Sequence, residues 1–191
     1  MNHSTTLRSL CCFVCIGFAF VSTSIEAEAT KTDIKDSNKF HSHINYDVFL
    51  NFRGSDIRHG FLSHLTQALR LKKIVVFVDD QIHKGDEIQQ SLFQAIEESL
   101  ISLVIFSQNY TYSHWCLDEL VKIVQCRHKD RQILIPVFHK LDPATVKHQR
   151  GTYANAFAEH EKKYNLTRVQ KWRSALSESA SISGFPSSMF P

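Results

Sequence analysis

From residue 46 onward, short apolar runs alternate with longer stretches in which apolar residues recur every three or four positions. Residues 46–52 (YDVFLNF) alternate at first, then run apolar and stop at Arg53 and Gly54, the pattern of a central strand. Phe61, Leu62, Leu65, Ala68 and Leu69 then predict a helix. Residues 74–78 (IVVFV) are a β-branched run ending at Asp79 and Asp80. The polar stretch 81–85 leads to Asp86, a good N-cap residue for a helix striped by Ile88, Leu92, Ala95 and Ile96. A third strand is predicted over 100–106 (LISLVIF), followed by a helix from about Ser113 with Leu117, Leu120, Val121 and Val124 on one face. Residues 132–138 (QILIPVF) give a fourth strand. After the break at Asp142-Pro143, residues 153–164 and 168–181 both read as helices.

Strands alternating with helices at this spacing imply an α/β fold, a parallel sheet covered on both faces. Such sheets bind ligands outside the carboxyl ends of their strands. Arg53, Asp79, Ser107 and the loop to Trp115 fall at those ends.

The first third of the chain follows different rules. Residues 10–21 (LCCFVCIGFAFV) are twelve apolar or small residues preceded by Arg8 and followed by small polar residues, so residues 1–29 read as a signal-peptide-like or membrane-anchor leader. Twelve is short against the roughly 20 that a span requires, although extension through residue 25 makes a thin or tilted anchor. Residues 30–45 mix Lys, Asp, Ser and Thr without apolar periodicity and read as a flexible linker, residues 46–185 as one domain, and 186–191 as a tail. Two destinations are open: a body facing the cytoplasm, anchored through residues 10–25, or a secreted body if the leader is cleaved. In the second case the sequons at Asn109 and Asn165 become available for glycosylation.

Composition removes several function classes. A net charge of +3 with scattered Lys and Arg gives no reason to expect nucleic acid as a partner. Cys116 and Cys126 are the two cysteines outside the leader; ten residues apart on one helix, they stand roughly 15 Å apart along its axis, beyond disulfide reach. The body suits a reducing compartment. The eleven histidines lack zinc spacing, so no metal is expected. No Gly-x-Gly-x-x-Gly and no Walker loop occurs. The Asp79-Asp80 pair follows the second strand, whereas a phospho-accepting receiver has its acidic pair after the first.

Four segments in one order carry a resemblance: YDVFLNFRGSDIR, FVDDQIHKGDEI, AIEESLISLVIFSQNYTYSHWCLDELVKI and LIPVFHKLDPATVKHQRGTYANAF. Together they resemble the Toll/interleukin-1 receptor (TIR) domain of plant immune receptors, over about three quarters of the chain. The resemblance implies a flavodoxin-like fold, with a central parallel sheet of four to five strands and helices on both faces. It also implies an NAD+ glycohydrolase acting in plant defence signalling, with Glu119 of the Trp-Cys-Leu-x-Glu-Leu motif as the catalytic carboxylate. Its substrate would be NAD+, or NADP+, and it would use no metal. Helical geometry allows the role, because Trp115 and Glu119 are four residues apart on one face. By the same resemblance Phe52, Arg53, Ser113 and Trp115 line the nucleotide site. The competing roles are a structural ion pair for Arg53, a core anchor for Trp115 and a solvated surface carboxylate for Glu119.

For assembly, Ser63 and His64 match a pair through which the first helices of two such domains pack together, and Gly151 lies in the region of a second self-association surface. The partners implied are further copies of the chain or other TIR-domain immune receptors. Residues 79–88 match a loop that completes a neighbour's active site, so the resemblance implies that activity requires self-association. The chain departs from the family pattern at Asn51, where Ser is common, at Ser55-Asp56-Ile57, at His139, and at Arg150 and Ala154 near the second surface. Gly184-Phe185 begins the stretch of the family's fifth strand, where Pro186 and Pro191 interrupt; an edge strand tolerates this. No nucleotide-binding or leucine-rich-repeat region follows, the pattern of a TIR-only product. The alternative function is a catalytically weak adaptor that pairs with full-length immune receptors.

Overall fold

The computed structural model describes residues 44–78, 86–130, 132–182 and 185–186. The leader, nearly all of the linker, the Asp79-Asp80 pair with most of the loop after it, and Pro191 lie outside the described residues.

Strand β1 (Tyr46–Phe52) has the bounds that its apolar pattern predicts. It leads into a short helix α1 (Gly54–Ile57), a π-helical turn (Arg58–Leu62) and helix α2 (Ser63–Leu71). Then come β2 (Val76–Val78), α3 (Asp86–Glu97), β3 (Ser99–Phe106), a 3-10 turn (Tyr110–Tyr112) and α4 (His114–Asp130). The chain continues through β4 (Ile133–Phe138), α5 (Pro143–Lys147), α6 (Thr152–Lys163), α7 (Leu166–Ser181) and β5 (Phe185–Pro186). All pairings are parallel, in the order β2-β1-β3-β4-β5.

That order is the flavodoxin-like one, in which the chain changes direction across the sheet between β1 and β3. The alternation of β1 shows why. Val48, Leu50 and Phe52 face one side, joined by Ile101, Leu103 and Ile105 of β3, where Leu62 of the π-helical turn and Leu65 and Leu69 of α2 cover them. Phe49 faces the other side, joined by Val104 and Phe106, under α3, α4, α6 and α7. The helix after β1 and the helix after β3 therefore lie on opposite faces, and the loops before them diverge. In open α/β sheets such a switch point is where ligands bind.

Two boundaries differ from the periodic pattern. The predicted second strand loses Ile74 and Val75, because the Val75 carbonyl accepts from both Asp47 and Val48 while its own N–H goes to the Asp47 side chain at 2.7 Å. The helix predicted from Phe61 starts earlier, at Gly54, and passes through the π turn at Gly60, whose φ of +130° suits only glycine. The fifth strand survives its proline as a two-residue edge opposite Val137 and Phe138. Among the described residues no helix is long and apolar enough to cross a membrane.

Helix α4 is anchored by Leu117, Leu120 and Ile123, each fully buried. Leu120→Ala removes a side chain that the close-packed interior does not refill, at a cost of about 2–5 kcal/mol. We expect the urea midpoint to fall with the slope unchanged. A midpoint equal to wild type would show that α4 is not part of the cooperative core.

Candidate functional site

At the carboxyl end of β1 the alternation that buries Phe49 also turns Asn51 inward, a fully buried amide in an otherwise apolar strand. Its Nδ2 donates to Glu119 Oε2 at 2.8 Å and lies 3.4 Å from the Cys116 carbonyl oxygen. The Tyr110 hydroxyl meets Asn51 Oδ1 at 2.5 Å and lies 3.0 Å from the same carbonyl. Glu119 itself is only 9% exposed, so it is not the solvated surface carboxylate of an ordinary helix. Neighbouring Asp118 points elsewhere, clasped by Arg168 and by the Trp172 indole N–H at 2.9 Å, which fixes α4 against α7. One helix thus carries two adjacent acids with separate fates.

The start of α4 is built by Ser113, whose Oγ accepts from the Cys116 N–H at 3.3 Å as an N-cap. The Cys116 thiol in turn donates to the Phe52 carbonyl at 3.3 Å, tying α4 to the end of β1. Burial, reinforced by the charge of Glu119, pushes this thiol up to about 12. It stays a thiol at neutral pH and is no nucleophile. Burial likewise raises the Tyr110 phenol well above its ordinary range, so the hydroxyl keeps its proton.

Arg53 follows Phe52 and pairs with Asp56 at 2.5 Å. Asp56 also accepts from the Ser107 hydroxyl at 2.6 Å and the Asn109 N–H at 3.1 Å, so it joins the loop after β1 to the loop after β3. Burial alone would raise its carboxyl. The Ser107 and Arg53 hydrogen bonds and the Asn109 N–H outweigh burial and hold it below its ordinary value. The Phe52 side chain is mostly buried, and the Arg58 guanidinium sits 5.5 Å above its ring. A Cβ at Gly54 would meet that guanidinium at 2.9 Å, a flexible side-chain end able to move aside. Trp115 is half-buried, its ring 4.8 Å from His114.

The structure therefore gathers Phe52, Arg53, Ser113, Trp115 and Glu119 around one end of the sheet, where β1 and β3 part. Ser63 and His64 stand apart on α2, both exposed, with the Ser63 hydroxyl donating to the Arg58 carbonyl at 2.9 Å. Gly151 precedes α6, where φ +59° and ψ −126° require glycine for backbone reasons alone, and its neighbour Thr152 donates to the Gln108 carbonyl at 2.6 Å. Sequence reasoning placed Ser107 at a strand end and noted Asn51 and Asp56 as departures from the family pattern, but gave none of them a role and passed over Tyr110. A polar amide within an apolar central strand was the available signal for Asn51, since a buried polar side chain must find partners.

A groove of about 490 Å³, lined by Phe93, Asp118, Val121, Lys122, Arg168 and Lys171, lies on another side of α4 and includes none of the candidate residues. The strand ends at the switch point remain the better candidate, because open α/β sheets bind ligands outside the carboxyl ends of their strands and Glu119 is buried there. Among the described residues no group of three His, Cys, Asp or Glu could hold a metal ion.

Because the folded Asp56 carboxyl lies below its ordinary 3.8, its contacts stabilise the fold above that value and fade as pH falls through the depressed one. The stability gap between wild type and Asp56→Asn, read by urea unfolding, should hold steady near neutrality and narrow below about pH 4. A gap that persists unchanged to about pH 2.5 would contradict the assigned contacts.

The family model for the TIR domain matches residues 45–190. The TMV resistance protein N of Nicotiana glutinosa is 46% identical over 151 residues, which are 78% of this chain and 13% of that protein. Disease resistance protein RPV1 of Vitis rotundifolia is 44% identical over 140 residues, 73% of this chain and 10% of that protein. Among solved structures, the TIR domains of the activated Roq1 resistosome, which directly recognizes the pathogen effector XopQ, are similar with a TM-score of 0.69 and 45% identity, over 74% of this chain and 87% of that one. The match thus spans only a small part of these curated relatives. With the family model covering well over half of its length, the chain belongs to the TIR domain family, as a homologue of the TIR domains of plant disease resistance proteins.

Proposed function

We propose that the chain is an NAD+ glycohydrolase of plant defence signalling, with Glu119 as its catalytic carboxylate. The observation that carries this reading is a buried carboxylate held by a dedicated amide donor at the point where β1 and β3 part. Cleavage breaks the bond between ribose C1′ and the nicotinamide nitrogen, and the electron pair leaves with the ring. Positive charge then spreads over C1′ and the ring oxygen, where an adjacent carboxylate stabilises it. Nicotinamide departs neutral, so no general acid is needed. Water adds at C1′ and loses a proton, giving ADP-ribose. A dry setting strengthens the charge interaction, and the buried Cys116 and Tyr110 supply one.

Binding is assigned to Arg53 for phosphate and to Trp115 for stacking on a ring. Arg53 must leave Asp56 to take that role, and Asp56 would keep its Ser107 and Asn109 donors. Activity is proposed to need self-association through Ser63 and His64, with Gly151 near a second contact.

Glu119→Gln keeps the shape and removes the charge. Nicotinamide release by the concentrated full chain should drop by roughly 100-fold or more; equal turnover by both proteins would sink the proposal. The exposed Ser63-His64 pair, together with Arg53 engaged by Asp56, also favours the adaptor reading. That reading expects binding to a full-length TIR receptor that survives Glu119→Gln and is lost in His64→Ala, measured by co-precipitation. Binding unaffected by His64→Ala would remove this pair from the interface.

A further inference from the structure

Hydrogen-bond donors and acceptors around Glu119 can be counted proton by proton. Tyr110 has one hydroxyl proton, and its oxygen is 2.5 Å from Asn51 Oδ1 and 3.0 Å from the Cys116 carbonyl oxygen. Two oxygens at the shorter distance need a proton between them, and an amide oxygen has none to give. Tyr110 therefore donates to Asn51, which turns the amide nitrogen toward Glu119 Oε2. The reversed amide would set Oδ1 against a carboxylate oxygen at 2.8 Å with no proton between, unless Glu119 were protonated. The arrangement seen is self-consistent with an ionised Glu119.

Resting on the reading that Glu119 acts as a carboxylate, we propose that Asn51 is a positioning residue that keeps Glu119 ionised and oriented, with Tyr110 locking the amide that does so. Burial favours the neutral acid, and a fixed donor to the charged form opposes this. Among the described residues, several titratable groups around this end of α4 are neutral or engaged elsewhere. Cys116 on the same helix and Tyr110 on the 3-10 turn stay protonated, as does Tyr153 of α6, which donates to the Ser107 carbonyl at 2.9 Å. Arg53 is engaged by Asp56, Arg168 of α7 by Asp118, and Lys122 by Glu97 of α3; β4 contributes no titratable side chain. Asn51 also reaches Glu119 from the sheet, so the carboxylate is fixed relative to the rigid strand and not to its own helix alone.

The test is the titration of Glu119 in the full chain, followed by carbon-detected NMR with labelled glutamate and read beside the pH profile of nicotinamide release. Asn51→Asp is nearly isosteric but places a second carboxylate against the first, and two so close share one proton. We expect the Glu119 midpoint to rise by roughly one pH unit or more, with a smaller rise in Asn51→Leu and in Tyr110→Phe. The acid limb of kcat/KM should move with it. A midpoint within about 0.3 unit of wild type in Asn51→Asp would overturn the role. If Asn51→Asp folds poorly, Asn51→Asp/Glu119→Gln exchanges amide and carboxylate and restores the hydrogen bond. The double variant should melt above Asn51→Asp at pH 7, and a double variant no more stable than the single one would likewise overturn the proposal. Shifted midpoints without nicotinamide release in wild type would overturn the catalytic reading and leave Asn51 in place. Turnover with unshifted midpoints would do the reverse.

Discussion

A carboxylate withdrawn from water has to be met by donors fixed to the fold, and this requirement at Glu119 organises one end of the molecule. The donor is Asn51, at the end of a strand whose other inward residue, Phe49, belongs to the apolar core. Asn51 is in turn held by Tyr110, and Cys116 closes the circuit by donating to the Phe52 carbonyl. Strand, 3-10 turn and helix thus share one set of buried polar contacts. Removing any partner would leave a desolvated group behind, which costs about 1–3 kcal/mol and more where the group is charged.

The same end of the sheet is tied a second time by Asp56. The reversal between β1 and β3 sends α2 and α4 to opposite faces, so the loops before them have no packing reason to stay together. Asp56 supplies one, by accepting from Arg53 on its own loop and from Ser107 and Asn109 on the other. Below it lies the apolar body, with Trp172, Tyr153 and Phe157 fully buried on the α7 side and Leu65 and Leu69 on the α2 side. The apolar contacts set where the loops begin, and the polar contacts set where they end.

Much of the architecture was legible because strands and long helices announce themselves by period. The run 46–52 became β1 without adjustment, and of the stripe Leu117, Leu120, Val121 and Val124 all but the half-buried Val121 became the buried face of α4. What escaped has physical causes. The π turn at Gly60 depends on one residue's backbone freedom, which no hydrophobic period records. Val75 left its strand because the Asp47 carboxylate, 28 residues away, takes its N–H. At the site, the residue types of the motif marked Glu119, but its burial depends on Asn51, 68 residues distant. The sequence marks Asn51 only as a departure from the family pattern. A long-range pair between one amide and one acid leaves no spacing to read. Arg53 shows the opposite limit: its charge was legible, whereas its present partner, Asp56, was one of two roles that the residue types left open.

The two polar knots differ in how readily they give way. Glu119 is 9% exposed and takes the Asn51 amide at 2.8 Å, and breaking a hydrogen bond to a buried carboxylate is expensive. Arg53 is 29% exposed, and an ion pair of that kind is worth roughly 0–1 kcal/mol. Asp56 has two further donors to retain its charge and its place. Under the proposed function, a phosphate that drew the guanidinium away would remove one of the contacts to Asp56 and leave the Ser107 and Asn109 bridge between the loops. Such a division suits a site whose charged group must be preorganised and whose anion-binding group must be exchangeable.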